Sequence, residues 1–253
     1  MDPDISSKIR NRPVLYASEY HKSVNWNILW EHISIIIPAH NEAERISTVI
    51  ATASAVGAAE VLVVDNNSQD QTSSVAAASG ARVVLCEKQG KAEAMRYGVE
   101  HSSERSSIIL FLDADLTGLT QEHLQSLAAP FFKSGHAEHI MSMGMFDRGK
   151  SNKAMWQLPY LTGQRALLKT DFIAATQDIK VTGWEIEATL NAYFKTNKFP
   201  ILPMVLDGLF HVQKTEKLGK KEGRKARTRM LVIAFIGSVK YPFRMLQKKL
   251  NTK

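Results

Sequence analysis

The sequence predicts an α/β fold with a mostly parallel sheet. Four short apolar runs rich in Val and Ile have the composition of strands buried on both faces. They lie at 33–38, 60–65, 81–86 and 107–113. Helical patterns separate them, from Glu42 to about Ala55, from Gln71 to Ser79 and from Lys91 to His101. Regular alternation of strand and helix implies right-handed crossovers that place helices on both faces of the sheet.

The second half of the chain is less regular. Its patterns predict a helix near 120–133, a strand at 138–145, a helix around 164–174, a helix from Trp184 to about Lys195 and a strand near 201–207. A parallel half followed by a mixed half indicates a Rossmann-like mixed sheet. We therefore divide the chain into an N-terminal extension (1–32), the α/β domain (33–212) and a C-terminal tail (213–253).

Composition and length are those of a globular protein with one large domain. The 253 residues are 44% hydrophobic and 23% charged, which excludes disordered, collagen-like and repeat classes. Cys86 has no partner for a disulfide, and no stretch has the order of a signal peptide. The apolar run at 230–239 has about half of the ~20 residues that a membrane-spanning helix needs. We expect a cytoplasmic protein.

The positive charge is concentrated in the tail. From His211 to Lys253 there are 13 Lys and Arg against two Glu, whereas the other 210 residues carry a net charge of −4. An apolar run beside these cations is typical of a helix that lies on the inner face of an anionic membrane. A solvated basic helix whose apolar stripe packs on the domain fits equally well, and Pro242 should break or kink either one.

Polar clusters follow each of the four predicted strands, at 38–42, 65–72, 87–94 and 113–116. Parallel sheets bind ligands beyond the carboxyl ends of their strands. The four clusters therefore predict a site for a polar ligand along one edge of the sheet.

Two of these clusters indicate specific chemistry. Asp113 and Asp115 are two residues apart and face the same side of an extended chain, so they suit Mg²⁺ or Mn²⁺. Alternatively, Asp115 caps the next turn and Asp113 is solvated; the context favours the metal. Lys91 follows a glycine at a helix start, where anions bind. Leu85 and Ala92 stand where a P-loop has Gly and Ser or Thr, which argues against P-loop ATP hydrolysis.

The motifs SIIIPAHNEAERI, VLVVDNNSQDQT, GKAEAMRYG and ILFLDADL, in this order, resemble the family 2 glycosyltransferases with the GT-A fold over about 33–212. The resemblance implies a UDP- or GDP-linked sugar donor in the parallel half and a Mg²⁺ or Mn²⁺ cofactor. It also implies these donor-binding residues: Pro38, Ala39, Asn41, Glu42, Asp65, Asn67, Lys91, Asp113 and Ala114. By the same similarity Asp65 contacts the nucleobase, Glu42 lies near the ribose or base, and Asp115 is the better metal ligand, with Asp113 facing the ribose and the metal's water shell.

Later segments resemble family members with phosphorylated or lipid-linked acceptors. LTGQRALLKTDF places Gly163, Gln164 and Arg165 on the acceptor side, and TGWEIEATL adds Trp184. Glu187 takes the acidic position of the second motif; since Glu185 points elsewhere on a helix, only one of the two should face the site. His211 matches the histidine that completes the metal site.

The similarity further places Lys214 and Lys217 near the phosphates. If the acceptor is a hydroxyl, we expect Glu187 to act as the base; with a phosphate acceptor, Glu187 would bind the sugar instead. The tail favours polyprenyl phosphate or another lipid-linked acceptor. The alternatives are a soluble phosphorylated acid or saccharide, and a non-catalytic module that binds membranes or nucleic acid. Intact Asp65, Asp115 and His211 argue against the last, so we expect no nucleic acid partner.

Overall fold

A computed structural model describes residues 15–16, 26, 30–133, 138–146, 162–177, 183, 185–211, 228 and 232. The strands in this part of the chain are β1 (Leu15–Tyr16), β2 (Ile33–Ala39), β3 (Glu60–Asp65), β4 (Arg82–Leu85), β5 (Ile108–Phe111), β6 (Leu116–Thr117), β7 (Met141–Phe146), β8 (Arg165–Leu168), β9 (Ile201–Leu206) and β10 (Phe210–His211). The helices are α1 (Ile46–Ser54), α2 (Thr72–Ala78), α3 (Lys91–Glu100), α4 (Gln121–Lys133), α5 (Lys169–Thr176) and α6 (Glu185–Thr196).

Eight of these strands form one mixed sheet in the order β1-β9-β7-β8-β5-β2-β3-β4. The neighbours β5, β2, β3 and β4 are parallel, and β8 runs antiparallel between β5 and β7. Strands β6 and β10 form a separate antiparallel ribbon. The predicted α/β class, with a parallel half and a mixed half, is confirmed.

The central strands are apolar on both faces because helices cover both faces. Ile35 and Ile37 belong to the core that α1 and α4 share, whereas Ile36 belongs to the core beneath α3, α5 and α6. Successive side chains of a strand point to opposite faces, so a continuous apolar run is required here. All three side chains are fully buried.

The helix predicted around 164–174 is wrong in its first half. Residues Arg165–Leu168 form β8, and the helix starts only at Lys169. All four β8 residues are buried between β5 and β7. The sequence of a short apolar run does not distinguish a buried strand from a turn of buried helix. Its pairing with neighbouring strands in the tertiary structure decides between them.

The described part of the N-terminal extension packs with the α/β domain. Strand β1 pairs with β9 at the edge of the sheet, and Trp30 is fully buried in the core. Of the tail, Thr228 and Val232 are helical and exposed, while Pro242 and the predicted kink lie outside the described residues. None of the described helices combines the length and hydropathy that crossing a bilayer requires.

Candidate active site

The structure brings the four polar clusters to one edge of the sheet, since β5, β2, β3 and β4 are parallel neighbours. Pro38 and Ala39 are the last residues of β2, and Ala39 lies opposite Asp65 on β3. This juxtaposition follows from strand order alone.

Hydrogen bonds join the loop after β2 to the loop after β3. The backbone N–H of Asn41 donates to Ser68 Oγ (3.0 Å), that of Gln69 to Asn41 Oδ1 (2.7 Å), that of Glu42 to Thr72 Oγ1 (2.9 Å) and that of Ala43 to Asp70 Oδ2 (3.1 Å). Asn41 and Asn67 both have positive φ, at 56° and 61°, which Asn tolerates better than most residues. The two loops therefore form one wall of the candidate site.

Asp65 lies at the base of this wall with 5% of its surface exposed. Its Oδ1 accepts the Ser68 N–H at 2.9 Å, and its Oδ2 accepts the Ser73 hydroxyl. Each carboxylate oxygen has two lone pairs, so a nucleobase N–H has a lone pair left to bind. The contact between Asp65 and a nucleobase stays a prediction.

Asp113, Lys91 and Glu187 meet in one ion-pair cluster. Lys91 Nζ donates to Asp113 Oδ1 and to Glu187 Oε1, both at 2.7 Å. The Glu187 side chain is completely buried, whereas those of Lys91 and Asp113 are 16% and 21% exposed. Lys91 starts α3 and Glu187 lies in the first turn of α6, so two helix starts converge on the end of β5.

Burial by itself lowers the pKa of Lys91, but the charges of Asp113 and Glu187 outweigh it and raise the pKa above its ordinary value. The ammonium is therefore charged throughout the physiological range. Of the two glutamates that the sequence left open, Glu187 is the one that faces this cluster.

Gly163 and Gln164 enclose the other side of Asp113. Gln164 Nε2 donates to Asp113 Oδ2 at 2.7 Å, and Gln164 Oε1 accepts the Thr162 hydroxyl at 2.6 Å. A Cβ on Gly163 would lie only 2.1 Å from Asp113 Oδ1. Position 163 thus has no room for a side chain, and both oxygens of Asp113 are held from within the protein.

The predicted acceptor contact of Arg165 does not fit the structure. Its side chain is completely buried and donates to the Thr162 carbonyl oxygen from Nε (3.2 Å) and Nη2 (2.6 Å). Nη1 lies 3.4 Å from the Glu187 carbonyl oxygen and 3.3 Å from Asn191 Oδ1. Burial lowers the pKa of Arg165, against the opposing effect of the nearby carboxylates. Arg165 joins the Thr162–Gln164 segment to α6.

The ribbon of β6 and β10 brings the predicted metal ligands to one place. Leu116, directly after Asp115, lies opposite His211. The backbone at Gly118 approaches that at Gly208 so closely that a Cβ on Gly118 would lie 2.3 Å from the Gly208 carbonyl oxygen. The ribbon thus sets His211 beside Asp115, although these residues are far apart in the sequence.

The carboxylate of Asp115 is a ligand of the kind that a hard divalent cation prefers. Mg²⁺ takes one or two protein carboxylates and completes its shell with water and phosphate oxygens. Asp115, partly exposed beside the ribbon, supplies one carboxylate, while the Asp113 oxygens are bound to Lys91 and Gln164. No group of three or more His, Cys, Asp or Glu is arranged for a metal among the residues the structure describes, so substrate oxygens would have to contribute.

The structure adds Asn66, Thr162 and Asn191 to the site, none of which the sequence singled out. Asn66 is buried and its side chain binds the loop that leads to Lys91. The sequence carries no signal for these contacts, since Asn66 stands beside an equally polar Asn67. The predicted acceptor-side residues Trp184, Lys214 and Lys217 lie outside the described residues.

Known proteins resemble this chain in sequence and in fold. The family model described as Glycosyl transferase family 2 matches residues 34–179, more than half of the chain. Glycosyltransferase AglJ of Haloferax volcanii is 40% identical over 85 residues, which are 34% of this chain and 28% of that protein. The 4,4'-diaponeurosporenoate glycosyltransferase of Staphylococcus aureus is 33% identical over 113 residues, 42% of this chain and 29% of that protein. The matches thus span less than a third of the length of each of these two relatives.

Among solved structures, glucosyl-3-phosphoglycerate synthase from Mycobacterium tuberculosis, in complex with Mg²⁺ and UDP, superposes with a TM-score of 0.67 at 22% identity. The alignment covers 85% of each chain. The same enzyme in complex with Mn²⁺, UDP-glucose and phosphoglyceric acid gives a TM-score of 0.65. These similarities confirm the GT-A fold. The chain belongs to glycosyl transferase family 2.

Proposed function

We propose that this protein transfers a sugar from a nucleoside-diphosphate sugar to an acceptor with the help of Mg²⁺ or Mn²⁺. The observation that carries the proposal is the Lys91 ammonium, held 2.7 Å from Asp113 at the edge where the ribbon also sets His211 beside Asp115. The Lys91 ammonium suits a diphosphate, and the carboxylates of Asp113 and Asp115 nearby suit the metal that accompanies it. The structural neighbours, crystallised with UDP and Mg²⁺ or Mn²⁺, support this choice.

The residues divide the work by position. Asp65 and the loop of Asn41 and Glu42 form the wall against which we place the base and ribose. A metal bound by Asp115 and His211 would supply positive charge to the leaving diphosphate. The Lys91 ammonium supplies a second positive charge near the leaving diphosphate. Because two carboxylates already orient it, it needs little reorganisation when negative charge develops on the diphosphate.

The geometry favours sugar binding over base catalysis for Glu187. Its carboxylate is fully buried and one oxygen is bound to Lys91, which leaves it poorly placed to take a proton from an incoming acceptor. Its other oxygen, Oε2, is buried without a hydrogen-bond partner among the described residues. Buried acceptors of this kind are costly, and a donor-sugar hydroxyl would satisfy it.

In the transfer, the bond between the anomeric carbon and the diphosphate oxygen breaks and its electron pair leaves with the nucleoside diphosphate. A new bond forms between the anomeric carbon and an acceptor oxygen. A phosphate or carboxylate acceptor is already deprotonated, so no base is required. This agrees with the buried position of Glu187.

Two acceptor classes are each supported by an observation. A soluble phosphorylated acid is supported by the neighbour that binds phosphoglyceric acid. A lipid-linked acceptor at a membrane surface is supported by the basic tail. A nearby groove of about 1050 Å³ has a mixed lining, with apolar side chains such as Tyr97 and Phe172 beside the charged Glu87, Glu93 and Arg96. The groove borders the Cys86–Lys88 loop, which leads to Lys91.

Calorimetric titration with UDP and with GDP, each with Mn²⁺ and then with EDTA, tests the donor and metal. We expect metal-dependent binding of one nucleotide, lost in Asp115→Asn. Glu104→Gln makes the same chemical change at an exposed position near the start of β5 and should bind as the wild type does. Equal affinity with EDTA, or unchanged binding by Asp115→Asn, would contradict the proposal.

The acceptor is tested with radiolabelled donor, using 3-phosphoglycerate and polyprenyl phosphate in parallel. Sedimentation of the full chain with anionic and with neutral vesicles adds an independent measurement. Transfer to polyprenyl phosphate together with binding to anionic vesicles supports the lipid-linked class. Transfer to 3-phosphoglycerate without vesicle binding supports the soluble class.

A further inference from the structure

We infer that Asn66 is the positioning residue that holds Lys91 in register with Asp113 and Glu187; this inference rests on the proposed function. Asn66 immediately follows β3, between the loops that follow β2 and β4. Its surface is 5% exposed, so its polar groups must be satisfied by the protein.

The Asn66 side chain makes three hydrogen bonds to one loop. Nδ2 donates to the carbonyl oxygens of Cys86 (3.2 Å) and Lys88 (2.7 Å). Oδ1 accepts the backbone N–H of Gly90 at 2.7 Å. An amide has two N–H donors and one oxygen, so one side chain binds the loop at three points over five residues.

The backbone of Asn66 ties the same residue to the loop after β2. Its N–H donates to the Ala39 carbonyl oxygen at 2.8 Å, and its own carbonyl oxygen lies 2.8 Å from His40 Nδ1. A carbonyl only accepts, so Nδ1 of His40 carries the hydrogen. Asn66 thus connects the ends of three neighbouring strands, β2, β3 and β4.

The consequence for Lys91 follows from Gly90. Gly90 is the residue before α3 and has φ 121°, a conformation that L side chains rarely adopt. The bond from Gly90 N–H to Asn66 Oδ1 fixes this turn, and Lys91 is the next residue. Asn66 does not touch the ion-pair cluster itself; it sets the direction in which α3 presents the Lys91 ammonium.

Two substitutions separate this role from general stability. Asn66→Asp keeps the shape and the acceptor for Gly90 but, when ionised, replaces two N–H donors by an oxygen that faces two carbonyl oxygens. Asn66→Leu keeps the branching at Cγ, with bulkier methyl groups, and removes all three bonds without adding charge. Ser106→Ala is the control, since Ser106 is 3% exposed and its hydroxyl lies 2.7 Å from the Ser34 hydroxyl, before β5 and at the opposite end of the sheet.

The first readout is the affinity for UDP in the presence of Mn²⁺. We expect both Asn66 variants to bind roughly 10- to 100-fold more weakly than the wild type near neutral pH, as supporting residues of binding sites typically do. Ser106→Ala should stay within about twofold, because a change distant from the site acts independently of it. Burial and the two facing carbonyl oxygens raise the pKa of the carboxyl introduced by Asn66→Asp above its ordinary value of about 3.9. As the pH is lowered towards about 5 this carboxyl gains a proton and thus an O–H donor, so this variant should recover towards the wild type whereas Asn66→Leu should not.

The second readout needs no ligand. Hydrogen exchange of the backbone amides at 86–91 should be faster in both variants than in the wild type, and unchanged in Ser106→Ala. If the wild type fails to bind UDP, the proposed function is wrong. The exchange data still test whether Asn66 holds the loop at 86–91. If a folded Asn66→Leu binds UDP as the wild type does, or exchanges at 86–91 at the wild-type rate, the inference is overturned; if it does not fold, recovery of Asn66→Asp at low pH decides.

Discussion

Replacing Lys91 by Met tests the ion-pair cluster, because it keeps most of the apolar stem and removes only the ammonium. Glu187 Oε1 would lose its partner at 2.7 Å, and Oε2 already has none among the described residues. A completely buried carboxylate would then lose its ion-pair partner and keep only the more distant charge of Arg165 as compensation.

The expected cost follows from this burial. Removing one partner of a buried ion pair destabilises a protein by about 3–5 kcal/mol, and the partial exposure of Lys91 and Asp113 places this case near the lower end, at about 3 kcal/mol. The raised pKa of Lys91 gives the pH range. The stabilisation is fully present below the ordinary value of 10.5 and is lost only as pH rises through the higher folded value.

Urea unfolding followed by circular dichroism near neutral pH measures the loss. Lys88→Met, at an exposed position in the preceding loop, is the control and should change the free energy of unfolding by at most about 0.5 kcal/mol. In a double-mutant cycle with Glu187→Gln, the combined variant should be at least about 1 kcal/mol more stable than the sum of the single losses predicts. A Lys91→Met protein as stable as the Lys88→Met control, or strict additivity, would refute the reasoning.

Two further predictions concern Gly163 and Glu60. Gly163→Ala places a methyl 2.1 Å from Asp113 Oδ1, so the carboxylate must shift; we expect roughly a 100-fold loss of sugar transfer in steady-state kinetics, and near-normal rates would contradict the close contact. Burial raises the pKa of Glu60, but hydrogen bonds from Ser34, Ser103 and Arg82 outweigh it and hold the pKa below the ordinary 4.5. Its stabilisation is present above that value and lost as pH falls through the lower folded value, so Glu60→Gln should flatten the fall of the melting temperature in this acid range. An unchanged slope would show that the network does not stabilise the fold.

Strand composition was enough to locate the candidate site. Runs such as 60–65 and 107–113 must be buried on both faces, which implies parallel neighbours, and parallel neighbours bring Asp65 and Asp113 to one edge. The motifs that follow these strands resemble those of the family, and they too are short contiguous segments. Such segments can be recognised without knowledge of the tertiary structure.

The sequence did not predict which individual polar side chains are buried. The family resemblance placed Arg165 on the acceptor side. In the structure Arg165 belongs to β8, which lies between β5 and β7, and its side chain is completely buried. Glu185 and Glu187 are alike in sequence, and only the packing of α6 against α3 aims Glu187 at Lys91.

The sequence by itself determined the α/β class, the edge that carries the site and the acids that suit a metal. The tertiary structure alone decided that Lys91 lies between Asp113 and Glu187 and that Asn66 rather than Asn67 turns inward. The physical reason is that periodicity reports which face of an element is apolar, whereas the partner of a buried polar atom depends on residues distant in the chain.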